Sequence, residues 1–128
     1  MSTCRIATLA MLGVAASLAF ITPSRAQVPQ CQVLGNWAGW GTNGDGTFDV
    51  RSGQACSIGV TTFGRIEKTR VAKQPEHGKV VQIDASSFEY RAAPGYSGTD
   101  SFVLEGTGHD PGEPPGQTSA VTMTVNVR

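Results

Sequence analysis

The side chains able to carry chemistry are few and far apart. His77 and His109 are the only imidazoles in the chain and so its natural proton-transfer groups near neutral pH. His77 lies between Pro75 and Gly78, and His109 lies in a stretch rich in Gly and Pro. No HExxH, GxSxG, CxxC or P-loop spacing surrounds either one. An enzyme built on His77 or His109 would have to assemble its site in space, from partners the sequence does not mark. The expectation is therefore a non-enzymatic protein, with a small secreted enzyme using one of these histidines as the alternative.

Hard oxygen donors come closest to a pattern at Gly41–Asp49, where Asn43, Asp45 and Asp49 sit among glycines. Such donors suit Ca²⁺, and a Ca²⁺-stabilised structural module is a further alternative. Laid on an EF-hand loop, however, the segment has Gly41 first and Ser52 twelfth, so the terminal carboxylates are missing. The same residues also favour an Asn-Gly/Asp-Gly turn leading into a strand, with no ion and no cofactor. Trp37 and Trp40 complete the candidates, in the Gly-rich run Gly35–Gly41. Large aromatics dominate recognition surfaces, so the pair is a candidate binding site for a sugar or a partner protein. Exposed tryptophan is unfavourable on a monomer, and at least one of the two is expected in the core.

The elements that must position these residues follow from what precedes them. Arg5, an apolar run from Ile6 to Ile21 and the small residues Ser24 and Ala26 read as a secretory signal peptide, residues 1–26. The domain is then 27–128, exported to the periplasm or beyond, with no later segment apolar enough to span a membrane. Arg5 and Arg25 leave with the leader, so eight Lys and Arg face ten Asp and Glu, a net charge of −2. That balance offers no basic stripe for phosphates and argues against nucleic acid as a partner. Cys31 and Cys56 are the two cysteines left, and in an oxidising compartment they are expected to form a disulfide.

Side chains alternate at period two through most of this domain. Phe48 and Val50 share a face, as do Cys56, Ile58 and Val60; Phe88 and Tyr90; Phe102 and Leu104; and Val121, Met123, Val125 and Val127. Short half-buried strands give that pattern, and Gly, Pro, Asn and Asp mark the turns between them. Arg65–Lys73 alternates poorly and is expected as a bulged edge strand whose charges discourage pairing. The Gly/Pro-rich run between Gly106 and Gln117 is expected as a long exposed loop. The fold class predicted is all-β, an antiparallel β-sandwich of seven to eight short strands.

One stretch is more specific. Pro75 and Gly78 form a Pro-x-x-Gly turn, Phe88 and Tyr90 an aromatic-x-Tyr pair, Pro94, Gly95, Tyr96 and Gly98 a Gly-Tyr-x-Gly corner, and Asp100 and Phe102 an Asp-Ser-Phe strand. This resembles the second half of a bacterial immunoglobulin-like domain of the cadherin-like tandem type, found in adhesins and secreted proteins. The resemblance implies an immunoglobulin-like sandwich that binds an unknown protein or cell-surface ligand. It also implies that Tyr96 packs over the sandwich end with its hydroxyl on a backbone partner. Asp100, just before the Phe102 strand, is expected to organise a turn by accepting N–H bonds. Relatives of this type use acidic residues at domain junctions for Ca²⁺, which makes Asp110 with Glu113 a looser candidate. They also occur in tandem, whereas a single copy is expected to act as a soluble factor or a docking subunit.

Overall fold

Inward-facing side chains at every second position build two facing sheets. The structure, a computed structural model, describes residues 13–22, 27–62 and 64–128. The start of the signal-peptide assignment and its cleavage site, in 1–12 and 23–26, lie outside the described residues. Residues 13–22 form neither helix nor strand, and Val14, Leu18, Phe20 and Ile21 are exposed. Among the described residues no helix is long and apolar enough to cross a membrane.

The strands are β1 (Leu34–Asn36), β2 (Gly44–Val50), β3 (Ala55–Gly59), β4 (Arg65–Lys73), β5 (Gly78–Asp84), β6 (Ser87–Ala92), β7 (Gly98–His109) and β8 (Gln117–Val127). One sheet has the order β1-β2-β8-β7-β4, the other β3-β6-β5. The chain is thus an all-β sandwich, with antiparallel pairing except between β2 and β8. Those two run parallel, from Gly44 opposite Val121 to Val50 opposite Val127. Most of the domain separates them in sequence, so no tight turn dictates an antiparallel direction.

The alternation read from sequence is the alternation buried. Phe48, Phe102, Leu104, Met123, Val125 and Val127 from the larger sheet meet Ile58, Val80, Phe88, Tyr90 and Ala92 from the smaller. Phe48 stands edge-on to Tyr90 at 5.6 Å and to Phe102 at 6.2 Å, while Tyr90 and Phe102 stack at 5.6 Å. The Cys31–Cys56 disulfide is present and buried at the margin of this core, with its Cα atoms 5.0 Å apart. β4 is an edge strand whose ladder pairing is with β7 alone, bulged between Ile66 and Lys68 and again between Val71 and Lys73.

Two turn assignments move. The glycines of Asn43–Gly46 lie mostly inside β2, and the turn is earlier, at Gly39–Thr42. A Cβ on Gly44 would come within 2.6 Å of the Asn36 carbonyl, so the approach of β1 requires glycine there, and one on Gly46 would press on the Met123 side chain, 2.8 Å from its sulfur. The late loop is likewise shorter than expected. β7 runs on to His109, and Gly108 still pairs with Gln117.

At one end of β7 a buried carboxylate gathers the turn from Pro75 to Gly78. Asp100 is 4% exposed and accepts the Tyr90 hydroxyl at 2.8 Å and the N–H groups of Glu76 and Ser101 at 3.1 and 3.0 Å. The His77 N–H points at both of its oxygens, 3.3 Å from each. Gly78 lets the Tyr90 ring approach, since a Cβ there would lie 2.7 Å from the hydroxyl. Beside it, Gly95 (φ 82°) and Gly98 (φ 135°) turn the corner in conformations that favour glycine. Tyr96 leans on the core and donates to the Thr99 carbonyl at 2.7 Å.

Two outcomes follow from this cluster. Asp100→Ala strands a buried tyrosine hydroxyl and several N–H groups, and should cost about 3 kcal/mol or more, read from urea midpoints. Burial, and then the bond to Asp100, raise the Tyr90 pKa above its ordinary value of 10. The unfolded chain therefore releases this proton at lower pH than the folded one. The stabilisation is complete below about pH 10 and falls as pH rises further, by up to about 1.4 kcal/mol per pH unit. Tyr90→Phe should remove that component of the alkaline decline in urea titrations.

Candidate functional site

The β7–β8 hairpin is longer than the sheet that covers it. Its register runs from Gly98 opposite Val127 to Gly108 opposite Gln117, while β3, β5 and β6 span five to seven residues each. The three-stranded sheet covers Phe102, Leu104, Met123, Val125 and Val127. Beyond them the inward positions are Val121, Gly106, Gly108 and Ser119, and all but Val121 present almost no side chain to a second layer. The Gly39–Thr42 turn supplies the missing cover.

That turn is held by its own sequence. Gly39 (φ 126°) and Gly41 (φ 83°) flank Trp40 in conformations where a side chain is strained. The Trp40 N–H donates to Asp110 Oδ2 at 3.2 Å, and the Gly41 N–H donates to Ser119 Oγ at 3.0 Å. Trp40 is 5% exposed and lies flat in a glycine trough. A Cβ on Gly106 would sit 3.1 Å from its ring, and one on Gly108 would collide with it. Its indole nitrogen is buried without a hydrogen-bond partner among the described residues. Trp37 crosses it edge-on at 5.2 Å, half-buried, and donates from its own indole to the Thr42 carbonyl at 3.2 Å.

Between this tryptophan lid and the rim of β3 and β6 is a cleft of about 440 Å³. Its walls include Trp37, Trp40, Ile58, Val60, Val121 and Met123. Asp45 and Glu105 border it, but the inward positions on their strands are Gly46 with Phe48 and Leu104 with Gly106. The two carboxylates therefore belong to the outer face, where Glu105 pairs with Arg70 at 2.9 Å. An interior of this kind takes an uncharged apolar group.

The other candidates fall elsewhere. His77 stacks on Tyr96 with centroids 3.9 Å apart and planes 3° from parallel, at the far end of β7. His109 Nδ1 is 3.1 Å from Glu67 Oε1, which also accepts the Gly116 N–H at 3.2 Å. The two histidines are not brought together, and neither lines the cleft. Asn43 accepts the Ala120 N–H at 3.1 Å, and Asp49 accepts Asn126 and Arg128 at 3.1 and 2.8 Å. Asp45 and Asp49 stand on one strand, about 13 Å apart at the usual rise, so these donors do not converge. Asp110 is engaged with Trp40, and its carbonyl accepts the Glu113 N–H at 3.0 Å. Among the described residues no group of three or more His, Cys, Asp or Glu is placed to hold a metal ion.

The tryptophans thus divide: Trp40 is a structural plug and Trp37 a cleft wall. The trough beneath Trp40 was the signal missed, since Gly106 and Gly108 share one strand face but sit in a stretch that reads as loop. Trp40→Ala should destabilise by about 3–5 kcal/mol, the range for emptying a buried aromatic site. Trp37→Ala should cost about 1 kcal/mol or less, with both values read from urea midpoints. No protein-family model matches this chain, and no curated protein matches it either.

Proposed function

We propose that the chain is an exported, non-enzymatic immunoglobulin-like module of the cadherin-like type, which binds a protein or cell-surface ligand through the cleft beside Trp37. The observation that carries this reading is an open apolar cleft of about 440 Å³ between two sheets whose other inward side chains are buried against one another. Interiors normally close such space, and an apolar hollow walled by a half-buried tryptophan is the usual form of a recognition site. The disulfide supports an oxidising compartment, the periplasm or outside the cell. The Tyr96 contacts support the family reading, because its ring packs on the core and its hydroxyl finds the backbone partner that the resemblance implies. A binding role is favoured over catalysis because the histidines lie apart, one stacked on Tyr96 and the other held by Glu67.

The cleft is tested with the oxidised protein and the uncharged apolar fluorophore N-phenyl-1-naphthylamine. Saturable one-to-one binding is expected, with a blue-shifted emission. Val121→Trp fills the cleft from its floor and should weaken binding at least about tenfold while the thermal transition persists. Trp37→Ala should weaken it from the other wall. Absence of saturable binding, or binding untouched by both substitutions, would refute a ligand site here.

A further inference from the structure

We infer that the cleft's occupant is an extended peptide segment, which adds as a strand to the free edge of β3 and inserts one uncharged apolar side chain between the sheets. This rests on the cleft being the binding site and names what it takes.

The edge of β3 is already used in this way by the chain itself. The Ser57 N–H donates to the Pro29 carbonyl and the Ser57 carbonyl accepts the Cys31 N–H, both at 2.8 Å. Gln30 thereby lies beside Ser57 as a parallel neighbour. These bonds fix which way the main chain of β3 points: at Ser57 its polar groups face away from β6. Main-chain direction repeats every second residue, so the N–H and carbonyl of Gly59 face the same open edge. Val60 conforms, since its N–H turns back to the Ser86 carbonyl at 2.8 Å.

The N-terminal segment does not follow β3 that far. It is pinned at Cys31 by the disulfide and then crosses to β1 in the other sheet. Beyond Ser57 the edge is vacant among the described residues. Gly59 is exposed, with nothing within 4 Å of where its Cβ would be, and it borders the cleft. A donor and an acceptor at strand spacing beside an apolar hole match an extended backbone with one buried side chain. An acyl chain fills the hole but leaves the edge unpaired, and a charged side chain finds no counter-charge inside.

The probe is the blocked peptide acetyl-Thr-Val-Phe-Val-Thr-amide, followed by displacement of the fluorophore and by tryptophan emission. The peptide should bind, and replacing its Phe by Lys should weaken it at least about tenfold. Two further versions carry N-methyl groups on alternate amides, in opposite phase. One phase blocks the amides that face β3 and should lose binding about tenfold or more; the other should bind like the parent. Gly59→Pro, folded by its thermal transition, should weaken the peptide and spare the fluorophore. Loss in both phases, or in neither, overturns strand addition. A peptide that fails to bind where the fluorophore binds overturns the peptide and leaves the cleft standing. If neither binds, both readings fall.

Discussion

A carboxylate with almost no access to water sets the frame of this sandwich. Asp100 faces the same side of β7 as Phe102 and Leu104, so its charge is directed into the interior. A buried charge is tolerable only when its lone pairs are fully engaged. The donors come from the Glu76–His77 turn, from Tyr90 on β6 and from Ser101 on β7, which joins both sheets and a turn at one point. A slip of β7 by one residue would expose Phe102 and strand the tyrosine hydroxyl at once. The register of β7 is thereby specified by hydrogen bonding as well as by greasy contact, and β7 is the strand from which β8 and β4 take their own register.

The two ends of β7 are closed by opposite means. At the Asp100 end, polar groups satisfy one another and Tyr96 covers them. At the Gly108 end, the strand loses its side chains and a tryptophan takes their place. A flat indole over two glycines excludes water well, but it is one residue wide, whereas the smaller sheet stops at Gly59 and Ser87. Space between the lid and the sheet rim is the geometric consequence. The cleft therefore follows from unequal strand lengths, with glycine at the inward positions where a larger side chain would otherwise complete a core layer.

Most of this architecture could be read from the residues. Period two identified the core faces of β2, β3, β6, β7 and β8, because burial on one side of a strand selects such alternation. Charge and broken alternation marked β4 as an edge. What could not be read was the meaning of glycine. Gly44, Gly46, Gly106 and Gly108 look like turn residues, yet each lies in a strand, with the Asn36 carbonyl close on Gly44, the Met123 side chain on Gly46 and the Trp40 ring on Gly106 and Gly108. Glycine reports close approach and sharp turning with the same letter, and only the partner's position tells them apart. The parallel β2–β8 pair was hidden for a related reason: long-range pairing leaves no local pattern. The division of labour between Trp37 and Trp40 depended on both of these, so the site was visible as a pair of residues but not as a cleft.

The disulfide gains a sharper role from this geometry. β1 is three residues long, with all three exposed, and it holds to the larger sheet only through β2. By itself so short an edge would fray, and Val33 and Trp37, which it carries to the cleft wall, would go with it. Cys31 anchors the segment just ahead of β1 to β3, in the opposite sheet, so the tether spans the side of the sandwich on which the cleft opens. On the chain-entropy account, closing a loop of this length contributes about 3 kcal/mol. That is large against what three exposed residues can contribute through packing. The covalent bond therefore acts where the noncovalent structure is thinnest, just ahead of the short strand that is flanked by Val33 and Trp37.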